Sequence, residues 1–281
     1  MALQRREFLT LMGGGVVSTV ALSACGKFGG TAKVDGPTIG MLQMVDAPPP
    51  NETRKGFEAA LAEAGYVSGQ SVNYIQKDAA GELPNTNLVM KQFVGEKADM
   101  ILAVGTPPLQ AAMREVPETT PVIFCYCSNP WGAGAGTPPG GVGQHRPNVV
   151  GTIGTNPVGQ ELDLARKINP QLKTVGLIFN PGEPNASYEA KILKEEAAKR
   201  NITVEEQSVA NSGEVLQAAQ VLAAKKVEAF VKIGDYATIQ GFGSIARVGL
   251  ENKIPVYSVD ASDIDLPGCL ATIGWSYYDD G

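Results

Sequence analysis

From Pro37 onward the chain alternates short β-rich runs with helical patterns, and it runs through the same order twice. Strands are expected at Thr38–Val45, Ser71–Gln76, Met100–Val104, Val122–Cys127, Val149–Ile153, Thr174–Asn180, Ile202–Ser208, Val227–Ile233, Ile254–Val259 and Cys269–Ile273. Between them, Phe57, Ala60, Leu61 and Ala64 follow the helical i, i+3, i+4, i+7 stripe, and Gly65 stops that helix. Ala186, Ala190, Leu193 and Ala197 make a comparable face, and Val215, Ala219 and Leu222 mark a third. Such alternation builds a parallel sheet covered on both faces. The segment Thr38–Gln43 is answered by Thr174–Phe179, Met100–Thr106 by Ala229–Asp235, and Pro121–Phe124 by Pro255–Ser258, at offsets of about 130 residues. An α/β chain of two similarly wound lobes follows, with Val149–Pro157 crossing between them.

Ligands of open parallel sheets bind beyond the carboxyl ends of the strands. That rule selects Gln43, Thr106, Ser128 and Asn129 in the first half, and Asn180, Asp235 and Asp260 in the second. Gly105-Thr106-Pro107-Pro108 reads as strand end, N-cap and proline in the first helical turn. Free N–H groups there would suit a carboxylate, although Thr106 could simply cap its helix. Asp235 is the matching position of the second half, open to two roles: a cap for the helix from Tyr236, or a ligand contact. A carboxylate-favouring half facing an acidic one suits a zwitterion. Asn180-Pro181-Gly182-Glu183-Pro184-Asn185 is turn chemistry first, and Asn180 and Asn185 could also present amides to a cleft. Tyr126, Trp131, Tyr188, Tyr236 and Trp275 are read as core or loop packing before ligand stacking.

Composition closes off other classes. The chain carries 23 basic and 29 acidic side chains without a basic run, which argues against nucleic acid. Cys125, Cys127 and Cys269 are expected as structural thiols, and His145 is the single histidine, so no metal or cofactor is assigned. Gly132-Ala133-Gly134-Ala135-Gly136 runs into Thr137-Pro138-Pro139-Gly140 rather than a helix, unlike a dinucleotide loop, and no Walker loop or nucleophile elbow occurs. The chain is read as a binding protein and not an enzyme.

The N-terminus sets the compartment. Arg5-Arg6 followed by Glu7-Phe8-Leu9 is the pattern of twin-arginine export, and the apolar run Leu11–Ala21 is too short for a membrane span. Leu22-Ser23-Ala24-Cys25 resembles the bacterial lipobox, which implies cleavage after residue 24 and acylation of Cys25. Residues 1–24 are thus a signal peptide and 25–36 a Gly-rich tether. The mature chain is expected outside the cytoplasm, held to the membrane by its lipid alone.

Beyond these readings the body of the chain resembles a family. Gly40-Met41-Leu42-Gln43, Arg54-Lys55-Gly56-Phe57, Gly105-Thr106-Pro107, Ser128-Asn129-Pro130, Asn180-Pro181-Gly182-Glu183-Pro184-Asn185, Ile254-Pro255-Val256-Tyr257 and Tyr277-Tyr278 resemble ABC-transporter substrate-binding proteins of the tryptophan/aromatic amino-acid type. The resemblance implies a type I periplasmic-binding-protein architecture of two Rossmann-like lobes. Lobe 1 would span 37–151 and 272–281, and lobe 2 would span 152–271. It further implies an importer permease and its ATPase as partners. By the same resemblance Thr106 and Ser128 would hold a carboxylate, Asp235 with Asp260 nearby an ammonium, and Asn180 and Asn185 the second wall. Asn129 stands where the family commonly has an acid, and Trp131–Arg146 is richer in Gly and Pro than usual. The chain stops at Gly281 where the family would cross back and add a helix, as a fragment would. A sugar or nucleoside receptor on the same fold and an exported two-lobed enzyme are the competing expectations.

Overall fold

The computed structural model describes residues 34–137 and 145–281; the export and lipidation positions Arg5, Arg6 and Cys25 lie outside them. Ten strands form, one at each expected place. They are β1 (Thr38–Gln43), β2 (Asn73–Asp78), β3 (Met100–Val104), β4 (Val122–Cys127) and β5 (Val149–Ile153), then β6 (Thr174–Phe179), β7 (Thr203–Ser208), β8 (Ala229–Lys232), β9 (Val256–Ser258) and β10 (Cys269–Thr272). The first five make one parallel sheet in the order β2-β1-β3-β4-β5, and the last five a second in the order β7-β6-β8-β9-β10. Counted within its own half, each sheet runs 2-1-3-4-5, so the repeated sequence pattern is a repeated winding. Each therefore reverses its strand order beside its first strand, the place where such sheets open a crevice.

Eight helices cover the sheets: α1 (Pro48–Glu63), α2 (Leu83–Gly95), α3 (Thr106–Glu115), α4 (Val158–Ile168), α5 (Pro184–Lys199), α6 (Val215–Ala224), α7 (Tyr236–Asn252) and the short α8 (Tyr277–Asp280). The stripe on α5 is buried as read, with Ala186, Ala190, Leu193 and Ala197 closed off from solvent. So is that on α6, through Val215, Ala219 and Leu222. In α1 the inward face lies earlier than the stripe suggests. Pro49, Pro50, Thr53, Gly56 and Phe57 are buried, while Ala60 and Ala64 face solvent. The reason is α8, which returns to pack on α1 so closely that a Cβ on Gly56 would fall 1.9 Å from the Tyr278 carbonyl oxygen.

Each half has its own core, built of two clusters of buried side chains. Leu42, Met90, Phe93, Ile101, Leu109 and Phe124 are among the side chains that fill the first half. The second half holds Leu162, Leu177, Leu193, Val231 and Tyr257. Each fully buried large apolar side chain contributes about 1.5–3 kcal/mol, so both halves are cored in their own right. Cys125 and Cys127 are buried free thiols, as expected, and burial pushes them up to about 12 and about 11.

Candidate functional site

The cleft is built at the carboxyl ends of the strands. It is lined by Tyr126, Ser128, Gly154, Asn156, Asn185, Glu189, Gly234 and Tyr236 and leaves free space of about 10 Å³, the room of roughly one water molecule. Tyr126 and Ser128 come from the end of β4, Gly154 and Asn156 from the crossing after β5, and the rest from the second half.

Tyr126 owes its place to a break in β4. Its φ of 54° is left-handed, and the pairing of β4 with β5 shifts register between Phe124 and Cys127. A tyrosine in that conformation carries a strain of order 1–3 kcal/mol, and its N–H leaves the sheet to donate to Asp280 Oδ2 at 2.6 Å. The bulge sets the ring into the cleft, against Tyr277 (5.3 Å between centroids), Tyr236 (6.3 Å) and Trp275 (6.3 Å). Trp275 meets Tyr277 at 5.1 Å, and its indole Nε1 is buried without a partner. Four aromatic rings thus pack together. Of these residues Tyr126 and Tyr236 line the cleft while packed on one another, and Trp275 packs behind Tyr126.

Tyr236 closes the gap between the halves. It begins α7 in the second half, yet its ring belongs to the hydrophobic cluster of the first and is 2% exposed. Its hydroxyl occupies the space of a missing side chain at Gly105, where a Cβ would lie 1.9 Å from it. Gly105 also has a φ of 106°, a backbone setting that side chains resist. Glycine there admits the phenol, and the two halves meet.

On the opposite wall the polar groups are second-half residues. Glu189 on α5 is 1% exposed; Asn156 Nδ2 donates to both its oxygens at 3.0 Å, and Gly234 N–H to Oε2 at 2.7 Å. Burial pushes its carboxyl up to about 7, against the pull of the Asn156 and Gly234 donors. Asn185 Nδ2 donates to the Gly234 carbonyl at 2.8 Å. With those amide nitrogens committed, the Asn156 and Asn185 carbonyl oxygens are buried with no partner, and so is the Ser128 hydroxyl. Unpartnered buried polar atoms are uncommon in folded proteins. Three of them meet in this one cleft.

The expected residues divide. Ser128 and Asn185 line the cleft. Asp235 stands between two cleft residues, but its carboxylate serves the fold. Oδ1 caps α7 by accepting from Thr238 N–H at 2.6 Å, and Oδ2 accepts from Asn180 N–H at 2.7 Å. Burial raises its carboxyl, and the backbone donors hold it down. Asp260 caps a 3₁₀ turn at Ala261–Asp265 and shares buried Lys232 with Asp263, at 3.5 and 2.6 Å. Asn180 is likewise consumed by its turn, accepting from Gly182 N–H and donating to the Ala210 carbonyl.

Thr106 is the first residue of α3 rather than its cap, a place held by Gly105. Pro107 and Pro108 follow, so two of the N–H groups that would suit an anion are missing. The Thr106 hydroxyl meets Cys127 Sγ at 3.3 Å and accepts from Asn129 N–H at 3.4 Å. The Asn129 side chain accepts from Gly132 N–H. Gln43 lies apart, in a depression with Asp46, Asn51, Arg54 and Gln76. Sequence reasoning missed Asn156 and Glu189. Glu189 is one helical turn beyond Asn185 and so on the same face of α5, and Asn156 sits in the crossing Gly154-Thr155-Asn156-Pro157.

Electrostatically the second half is acidic inside. Glu161, Glu183, Glu189, Asp235, Asp260 and Asp263 are buried there with Lys232 as the one buried lysine among the described residues. Glu183 receives the Tyr236 and Ala237 N–H groups at the start of α7; burial and then Asp235 push it up to about 8. Of these acids only Glu189 lines the cleft. Among the described residues no group of metal-ligating side chains is assembled, and no helix is long and apolar enough to cross a membrane.

Comparisons with known proteins agree with this geometry. A curated tyrosine-binding protein of Clostridioides difficile is 29% identical over 287 residues, covering 98% of this chain and 81% of its own. A conserved domain protein of Vibrio cholerae superposes with a TM-score of 0.80 at 29% identity, over 86% of this chain and 80% of that one. The ABC domain from Streptococcus pneumoniae in complex with L-Trp gives 0.78 at 26% identity, over 87% and 80%. The ligand-free, open structure of a Clostridium difficile substrate-binding protein with adhesive properties gives 0.60 at 29% identity, over 86% and 80%. Those folds are periplasmic-binding-protein folds of two parallel sheets flanked by helices, as here. The family model of the ABC transporter substrate-binding proteins matches residues 38–281, and the chain belongs to that family, whose members bind a solute outside the cytoplasm rather than transform it.

Proposed function

We propose that the chain is the amino-acid receptor of an ABC importer, lipid-anchored at Cys25 after export directed by Arg5 and Arg6. Its ligand lies in the cleft between lobe 1 (37–151 and 272–281) and lobe 2 (152–271), and is handed to a permease and its ATPase. The observation that carries this reading is the cleft itself: the aromatic residues Tyr126 and Tyr236, backed by Tyr277 and Trp275, with three unpartnered buried polar groups beside them. A sugar would want aromatic platforms and amide-rich walls; what favours an amine-bearing molecule over it is the buried Glu189 carboxyl at the cleft. Relatives named for tyrosine and crystallised with L-Trp make an aromatic amino acid the leading ligand. The carboxylate end of that ligand is assigned to the first wall near Ser128, with Thr106 and Asn129 behind it.

Affinity in the micromolar range needs about 8 kcal/mol. Burial of one aromatic side chain among the four rings and of a few charged hydrogen bonds supplies that order of energy. A thermal-shift panel of amino acids, sugars and nucleosides on the lipid-free protein tests the reading. A shift confined to amino acids, largest for tyrosine, phenylalanine or tryptophan, is expected; a shift with sugars alone would reject it. Metabolic labelling with palmitate tests the anchor, since Cys25→Ser should abolish incorporation.

A further inference from the structure

The second wall of the cleft holds a constellation with surplus acceptor capacity. Glu189 Oε1 accepts a single shared hydrogen bond, from Asn156 Nδ2 at 3.0 Å, which leaves a lone pair on an oxygen at the cleft. Asn156 and Asn185 are each 7% exposed, and each spends its amide nitrogen on a neighbour. Their orientation is thereby fixed with the carbonyl ends left over. Two carbonyl oxygens have no donor among the protein's own groups, and the carboxylate beside them has acceptor capacity to spare.

A primary ammonium carries three N–H donors and one positive charge, and so complements three acceptors of which one is anionic. The rest of the lining agrees with an organic cation. Tyr126 and Tyr236 present ring surfaces to the same space, and aromatic faces attract ammonium groups. A hard metal ion would instead want six to eight oxygen ligands, which this wall lacks. Gly234 is part of the construction: a Cβ there would lie 2.5 Å from Asn156 Nδ2 and 3.0 Å from Glu189 Oε2. Asp235, one residue further on, has both oxygens on backbone N–H groups and no share in the wall.

We propose that Glu189, with the side-chain carbonyls of Asn156 and Asn185, is the receptor for the ammonium group of the ligand, an inference that rests on the amino-acid reading of the same cleft. Glu189 supplies the charge and the two asparagines set the direction of the N–H bonds.

Calorimetry on the lipid-free chain tests this with three probes: L-tyrosine, tyramine, which keeps the amine and lacks the carboxylate, and 3-(4-hydroxyphenyl)propanoate, which lacks the amine. Wild type should prefer tyrosine to the amine-free acid by at least a hundredfold. Glu189→Gln should lose about a hundredfold in tyrosine affinity and leave the weak binding of the amine-free acid unchanged, so that the preference collapses. Asn185→Ala, a milder change, should cost about tenfold for tyrosine and tyramine alone, and guards against a Glu189 variant that fails to fold. A folded Glu189→Gln protein that still prefers tyrosine a hundredfold overturns the ammonium site and leaves the amino-acid receptor standing. Binding of tyramine but not tyrosine, sensitive to Glu189→Gln, keeps the ammonium site and overturns the amino-acid reading. Binding of the amine-free acid alone overturns both.

Discussion

Replacing Glu189 by glutamine should make the ligand-free protein more stable, in a manner that depends on pH. The carboxyl is pushed up to about 7 in the fold from the usual 4.5. Each pH unit of separation is worth 1.36 kcal/mol, so ionised Glu189 costs the native state about 3 kcal/mol. The sign follows from proton binding. The native state holds this proton more tightly than the unfolded chain, so stability is highest below about 4.5. It falls as pH rises toward 7 and is lowest above it. Glutamine removes the penalty. Its carbonyl can still accept from Gly234 N–H, but its amide nitrogen faces Asn156 Nδ2, a lost hydrogen bond worth about 1 kcal/mol. The net gain at pH 8 is about 2 kcal/mol, and at 2–4 °C per kcal/mol for a chain of this size the midpoint should rise by about 4–8 °C. At pH 5 the native carboxyl is protonated, the penalty is under about 1 kcal/mol, and the two proteins should melt together. Glu161, Tyr126, Tyr236 and Tyr277 share the field of Glu189 and stay in both proteins, so the difference between melts reads Glu189 together with its coupling to them. Differential scanning calorimetry at pH 5 and pH 8 is the assay. A difference in midpoint that is equal at both pH values, or a variant less stable at pH 8, would refute the reasoning.

Three further outcomes are expected. Tyrosine affinity should fall below pH 7, by up to about tenfold per pH unit, because protonation of Glu189 removes the charge that the ammonium meets; calorimetry between pH 5.5 and 8 reads it. Gly105→Ala puts a methyl group on the site of the Tyr236 hydroxyl and side-chain strain at a φ of 106°. It should hold the lobes apart, enlarging the radius of gyration in solution scattering and weakening ligand binding at least tenfold. Lys232→Met strips the partner from Asp263 and Asp260 in a buried site and should cost about 3–5 kcal/mol in urea unfolding at pH 8. The loss should shrink at acid pH, since burial already raises the Asp263 carboxyl toward protonation.

The fold was legible because its signals are local. Runs such as Met100–Val104 and Ala229–Lys232 are apolar and bounded by glycine, and the repeated order exposes the twofold winding directly. The buried face of α1 was misplaced because it depends on α8, more than 200 residues away in the chain. The site was only half legible. The strand-end rule reached Ser128, while Asn185 came from the turn that opens α5. The rule cannot say which way a carboxylate turns. Asp235 and Glu189 look equally acidic in sequence, yet one is bound by the N–H groups of its own helix and neighbouring turn and the other looks into the cleft. Tyr126 reads as one more apolar position on β4, and only the left-handed bulge, a consequence of the Asp280 contact and the shift against β5, makes it a cleft wall.

The most direct measurement is a crystal structure of the lipid-free protein grown with saturating L-tyrosine. It should show one amino acid between the sheets, its ring among Tyr126, Tyr236, Trp275 and Tyr277 and its nitrogen within 3.2 Å, an ordinary hydrogen-bond reach, of Glu189, Asn156 and Asn185. A cleft in which those rings pack on one another while the ligand sits elsewhere, or against Asp235 with Glu189 untouched, would contradict the account.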